Sequence, residues 1–131
     1  MPRSAKHRLR FWIEWGGSAC LWADNEAARE AFGEGVSSID LHRLPLSAVI
    51  ISRIEQHCAW YQTALNWDYP PDPGPWRREE GDRFNAATLD LLPALTIDLG
   101  ADFEVINARL PIAEDPDLEA YLQDPKRFRR R

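Results

Sequence analysis

The chain has 131 residues, 44% of them hydrophobic and 28% charged, with six tryptophans, which suits one domain that buries a core without disulfide or metal staples. No apolar run approaches the roughly 20 residues of a bilayer span, and no apolar block follows the basic start as a secretory signal requires, so the expected setting is the cytoplasm, away from membranes. The net charge of −5 hides a segregation: positions 1–10 hold four basic residues and positions 126–131 hold five, while 11–125 hold all 21 acids and seven bases, a balance of −14.

Such a body repels nucleic acid and attracts basic partners. The two ends, 1–7 and 125–131, read as basic, flexible segments of a single domain spanning 1–131. Residues 8–15 alternate: Leu9, Phe11, Ile13 and Trp15 share one face, while Arg8, Arg10 and Glu14 share the other with Trp12, the period of a half-buried strand. Gly16-Gly17 supplies a tight turn, and residues 19–22 return as a second strand to make a hairpin. Asp24 or Asn25 caps a short helix over 26–32, which Gly33 ends. Residues 34–46 read as a loop with a short extended piece at 36–41.

Ser47 caps a long helix over about 48–66, whose stripe is Ile50, Ile51, Ile54, Cys58, Tyr61 and Leu65. Four prolines between positions 70 and 75 stop it and impose a stiff, extended connection. A second long helix starts near Trp76 and runs to Leu99, closed by Gly100, with Phe84, Thr88, Leu91, Leu92, Leu95 and Leu99 on its apolar side. Pro93 lies inside it and is expected to bend or split it. A strand over 102–108 follows, with Phe103 and Val105 on one side and Glu104 and Ile106 on the other. Asp115-Pro116 then opens a short helix to about residue 123. The expected fold class is α+β: a small antiparallel sheet, made of the N-terminal hairpin plus the late strand, with two long helices packed on one face.

The chemistry-bearing residues make no catalytic set. His7, His42, His57, Cys20 and Cys58 lack the spacing of a metal site, and Cys58 falls on a buried stripe where thiols are inert. No nucleophile elbow or phosphate-cradling glycine loop occurs. Close acid pairs are an automatic result of 21 acids, and those at the start of the second long helix offset its dipole. No cofactor is implied. Arg129–Arg131 beside Phe128 makes a short basic patch, outweighed by the acidic body as a nucleic-acid site. The segment from Trp67 to Trp76 stands apart, because it places two tryptophans, a tyrosine and two carboxylates on or beside a rigid loop, the make-up of a protein-binding surface. Asp68, Tyr69, Asp72, Trp76, Glu79, Glu80 and Asp82 are the candidate partner-binding residues. Trp67 and Trp76 divide evenly between serving this surface and anchoring the helix ends in the core.

Phe11-Trp-Ile-Glu-Trp15, Cys20-Leu-Trp22, Leu44-Pro-Leu-Ser47, Leu65-Asn-Trp-Asp-Tyr-Pro70, Trp76 with Glu79-Glu80 and Phe84-Asn85, and Leu99-Gly-Ala-Asp-Phe-Glu-Val105 together resemble a group of small acidic bacterial proteins. Members lie beside polymorphic toxins of contact-dependent and related secretion systems and act as their cytosolic immunity proteins. The resemblance spans most of 11–124 and carries no catalytic motif. It implies a protein that binds and neutralises a cognate toxin. With the missing catalytic set the expectation is a non-enzymatic protein, monomeric or a weak homodimer, and the acidic body suits a basic nuclease as that toxin. Two other readings stay open: a small enzyme using a carboxylate pair, and a regulatory domain that dimerises through the open edge of its sheet.

Overall fold

A computed structural model describes residues 5–17, 20–33 and 38–130; the readings that concern Arg3, Ala19, Val36 and Arg131 fall outside these residues. In chain order the elements are β1 (His7–Phe11), β2 (Leu21–Ala23), α1 (Glu26–Phe32), a 3-10 turn at Leu41–Arg43, α2 (Ala48–Gln62), α3 (Arg78–Leu99), β3 (Phe103–Asn107) and α4 (Leu118–Gln123). The expected α+β class holds, with two long helices. β1 and β2 pair antiparallel, Arg10 opposite Trp22. Leu9, Phe11 and Ile13 are buried as the alternation requires, whereas Trp15 remains 41% exposed and stacks on Tyr61 of α2 at 4.2 Å.

The late strand corrects the expected antiparallel sheet. β3 joins β1 in parallel, His7 opposite Phe103 and Phe11 opposite Asn107, so the sheet is mixed, in the order β2-β1-β3. The reason is the short link out of α3. Gly100, at φ +90°, reverses the chain, and the His7 amide donates to the Asp102 carbonyl at 2.8 Å. β3 must therefore begin beside the beginning of β1. The intervening helices provide the long crossover that a parallel pair needs.

Capping follows the side chains. Asn25, not Asp24, caps α1, its Oδ1 accepting from the Ala28 amide at 2.9 Å, while Asp24 accepts from Arg8 Nε at 3.0 Å. Ser47 Oγ accepts from the Ile50 amide at the start of α2. α2 ends at Gln62, four residues early, because the Thr63 hydroxyl donates back to the Trp60 carbonyl at 2.7 Å and the chain turns into the proline-rich loop. α3 starts two residues late, at Arg78, whose amide donates to the Glu114 carboxylate at 3.0 Å. Contrary to a split, α3 is continuous through Pro93. Pro93 and Leu89, whose carbonyl loses its amide partner, lie on the exposed side, where water serves instead. α4 begins at Leu118, not at Pro116. Asp115 Oδ1 accepts from the Asp117 amide at 2.9 Å, closing a turn ahead of the helix instead of capping it.

Leu9, Phe11 and Ile13 from the first strand region, Ile54 and Cys58 from α2, and Phe84, Leu91 and Leu95 from α3 form one core. Phe84 has no exposed surface and is ringed by His57, Trp60, Trp76 and Tyr61, at centroid distances of 4.2, 5.1, 5.2 and 5.6 Å. Cys20 and Cys58 are free and buried in the same core. Their mutual hydrogen bond, together with burial, pushes the Cys20 thiol up and the same bond pulls the Cys58 thiol down, so the pair is coupled inside the core.

Candidate functional site

The connection between α2 and α3 is built to hold one shape. Asn66 organises it: Oδ1 accepts from the amides of Asp68 and Tyr69 at 3.1 and 3.2 Å, an Asx turn. Its Nδ2 donates to the Pro73 carbonyl and, at 3.1 Å, to the Tyr121 hydroxyl of α4. Pro73 is fully buried. Gly74 passes so close to Ala64 that a Cβ there would collide with the Ala64 carbonyl. A backbone fixed this way loses little entropy when a partner binds it.

The two tryptophans at its ends have different fates. Trp76 is 7% exposed; its Nε1 donates to Thr63 Oγ1 at 2.8 Å and its ring packs on Phe84. It is a core residue that anchors the loop. Trp67 is 56% exposed and Tyr69 57%, with Trp67 Nε1 donating to the Gln62 carbonyl at 2.6 Å, so its indole is held against the loop with one face to solvent. Asp68 is exposed and Asp72 half-buried. Trp67, Asp68 and Tyr69 are consecutive and face water.

The acids at the start of α3 also separate. Glu79 and Asp82 are exposed, with Asp82 3.8 Å from Arg78. Glu80 turns inward, accepting from Trp60 Nε1 at 3.2 Å and pairing with Arg83. It supports the fold beneath the loop more than it faces outward.

Sequence reasoning missed the arginine on the far side of this loop. Arg130 Nε donates to the Pro71 carbonyl at 2.8 Å, Nη1 to Asp117 at 2.9 Å and Nη2 to Asp115 at 2.7 Å. Through Arg130 the C-terminal segment reaches the loop. Nothing local announces a contact between positions 59 residues apart. The Asp115-Pro116-Asp117 run was a visible signal, but it reads equally well as a helix start. The hairpin tip joins from the other side. Gln62 Oε1 accepts from the Gly16 amide at 2.6 Å, and Nε2 donates to the carbonyls of Glu14 and Gly17. A cavity of about 230 Å³ lies among Trp15, Pro70, Asp72, Trp76, Asp115 and Arg130.

Arg130, hydrogen-bonded to Asp115, holds that carboxylate below its usual range, so Asp115 stays ionised at neutral pH, the reverse of a general acid. Among the described residues, no group of three His, Cys, Asp or Glu is placed to hold a metal ion, and no helix is long and apolar enough to cross a membrane.

No curated protein matches the chain. Residues 7–109 match the family model described as Serratia CdiI immunity protein-like, a region that takes in the sheet, both long helices and the proline-rich loop. With more than three quarters of its length matched, the chain belongs to the Serratia CdiI immunity protein-like family.

Proposed function

We propose that this chain is a non-enzymatic, cytoplasmic bacterial immunity protein that binds a cognate toxin and neutralises it by covering the toxin's working surface. The observation that carries the reading is a rigid, solvent-facing loop, presenting Trp67, Asp68 and Tyr69, on a chain of an immunity-protein family. Asp72 and the exposed acids Glu79 and Asp82 extend the surface. Trp76 and Glu80 hold it from beneath. The −14 balance over 11–125 supports a basic toxin, and a nuclease domain is the toxin class that such charge fits best, because enzymes acting on nucleic acid carry basic active-site surfaces. Aromatics flanked by carboxylates suit a partner whose basic groups are desolvated on binding.

The test is protection. A cell producing the toxin domain encoded beside this gene should survive when the chain is co-produced, and the two should purify together. Asp68→Lys combined with Tyr69→Ala should abolish both effects while leaving the circular dichroism spectrum unchanged. Failure of the wild-type chain to protect or to co-purify contradicts the reading.

A further inference from the structure

The family match ends at residue 109, yet the loop is held by residues beyond it. Arg130 engages two carboxylates and the Pro71 carbonyl at once. A lone surface ion pair contributes little. A planar guanidinium shared by two carboxylates and a carbonyl has geometric specificity that a single pair lacks. Phe128 packs edge-on against Tyr121 at 5.5 Å, and the Tyr121 hydroxyl accepts from Asn66, the residue that forms the loop's turn. Arg77 pairs with Glu119 at 2.8 Å on the α3 side.

The loop's tip has less support from its own region. Between Tyr69 and Asp72 the backbone bond is Asp72 amide to Tyr69 carbonyl, 2.9 Å, and it is the Pro71 carbonyl, at that tip, which Arg130 takes. We infer that residues 114–130 form a strap that fixes the tip of the 66–76 loop in its partner-binding shape. Arg130 is the positioning residue, and part of what selects the partner is therefore encoded outside the family region. This rests on the loop being the partner surface, as proposed above. The strap also supplies surface of its own: Lys126, Phe128 and Arg129 line, with Tyr69, Pro71 and Asp72, one open cleft of about 580 Å³. The partner thus meets charges of both signs there.

Hydrogen exchange on the full chain alone tests the strap. In Arg130→Ala the amides of Asp68, Tyr69 and Asp72, the hydrogen-bonded amides of the loop tip, should exchange about tenfold faster than in wild type, with α2 and α3 unchanged. Arg130→Lys, which keeps the charge and loses the fork, should lie between. Arg127→Ala, which removes an exposed pairing with Asp124, should be silent. Asp117→Ala takes away one contact of the same guanidinium and carries the same expectation at smaller size, should Arg130→Ala fold poorly. Binding of the toxin domain encoded beside the gene should weaken in Arg130→Ala by the factor by which the closed loop is depopulated. Unchanged loop exchange in the Arg130 and Asp117 variants overturns the strap. Faster loop exchange with wild-type toxin binding leaves the strap standing as a structural brace and overturns its role in partner selection, while the loop as partner surface is tested separately by Asp68→Lys with Tyr69→Ala.

Discussion

His57 is a histidine whose titration the fold changes. It is buried, stacked on Phe84, and its Nε2 shares a hydrogen bond with Thr88 Oγ1 at 2.8 Å. Burial, then repulsion from Arg109 and Arg53, pushes it down to about 4. The neutral ring is therefore the folded form. An unfolded histidine takes a proton below its ordinary value near 6.5, while the folded one refuses it until about 4, so acid favours unfolding through that window. We expect the folded state to lose on the order of 2–3 kcal/mol between pH 7 and pH 4 from this group, and His57→Phe to flatten that slope in denaturant titrations run across the window. Arg109 lies over Phe84 and Tyr61, at 4.6 and 5.2 Å, and burial lowers its own proton affinity. Arg109→Met keeps the apolar stem and removes the charge, so an NMR titration should find the His57 midpoint moved up. The sequence placed Phe84 and Thr88 on a buried stripe but gave no sign of His57 facing them. Trp67 and Trp76 were likewise indistinguishable, because identical side chains flank one loop. Only Thr63 and Phe84, brought in by packing, decide that Trp76 is the buried one.

At the scale of elements, two positions test how the helices and their link are made. Pro93 interrupts the hydrogen bonding of α3 on its exposed side, so Pro93→Ala should restore one backbone bond and stabilise the protein by about 1–3 kcal/mol, read as a raised thermal midpoint. Gly74→Ala should do the reverse, because its Cβ meets the Ala64 carbonyl. A cost of roughly 2 kcal/mol or more is expected, together with faster exchange in the 66–76 loop. Periodicity made the strands and helices legible: the two-residue repeat through Leu9, Phe11 and Ile13, and the spaced stripe from Phe84 to Leu99. Ser47 and Gly100 marked boundaries correctly because caps act locally. The direction of β3 was hidden, since alternation in Phe103 to Ile106 says which side is buried and nothing about which neighbour the strand joins or in what sense. That is decided by the two-residue link after Gly100. The Arg130 clamp was hidden for the same reason, a long-range pairing with no local pattern.

For the whole molecule, charge layout and family membership combine. The −14 balance of 11–125 is answered in part within the fold, Arg8 and Arg10 of β1 at Asp24 and Arg130 at Asp115 and Asp117. The remaining acids should steer a basic toxin, and its association rate should fall about tenfold or more as salt rises from 50 mM to 0.5 M. The resemblance read from Phe11–Trp15, Leu65–Pro70 and Leu99–Val105 agrees with the family found over residues 7–109, whereas the proposed partner surface is argued from exposure and rigidity seen in three dimensions. The most direct measurement is a calorimetric titration of the purified chain into the toxin domain encoded beside its gene, for wild type and for Asp68→Lys with Tyr69→Ala. A 1:1 complex that the double variant weakens about 100-fold or more, at an unchanged thermal midpoint, is the predicted result. Wild-type affinity in the double variant, or no binding by either protein, would contradict the account.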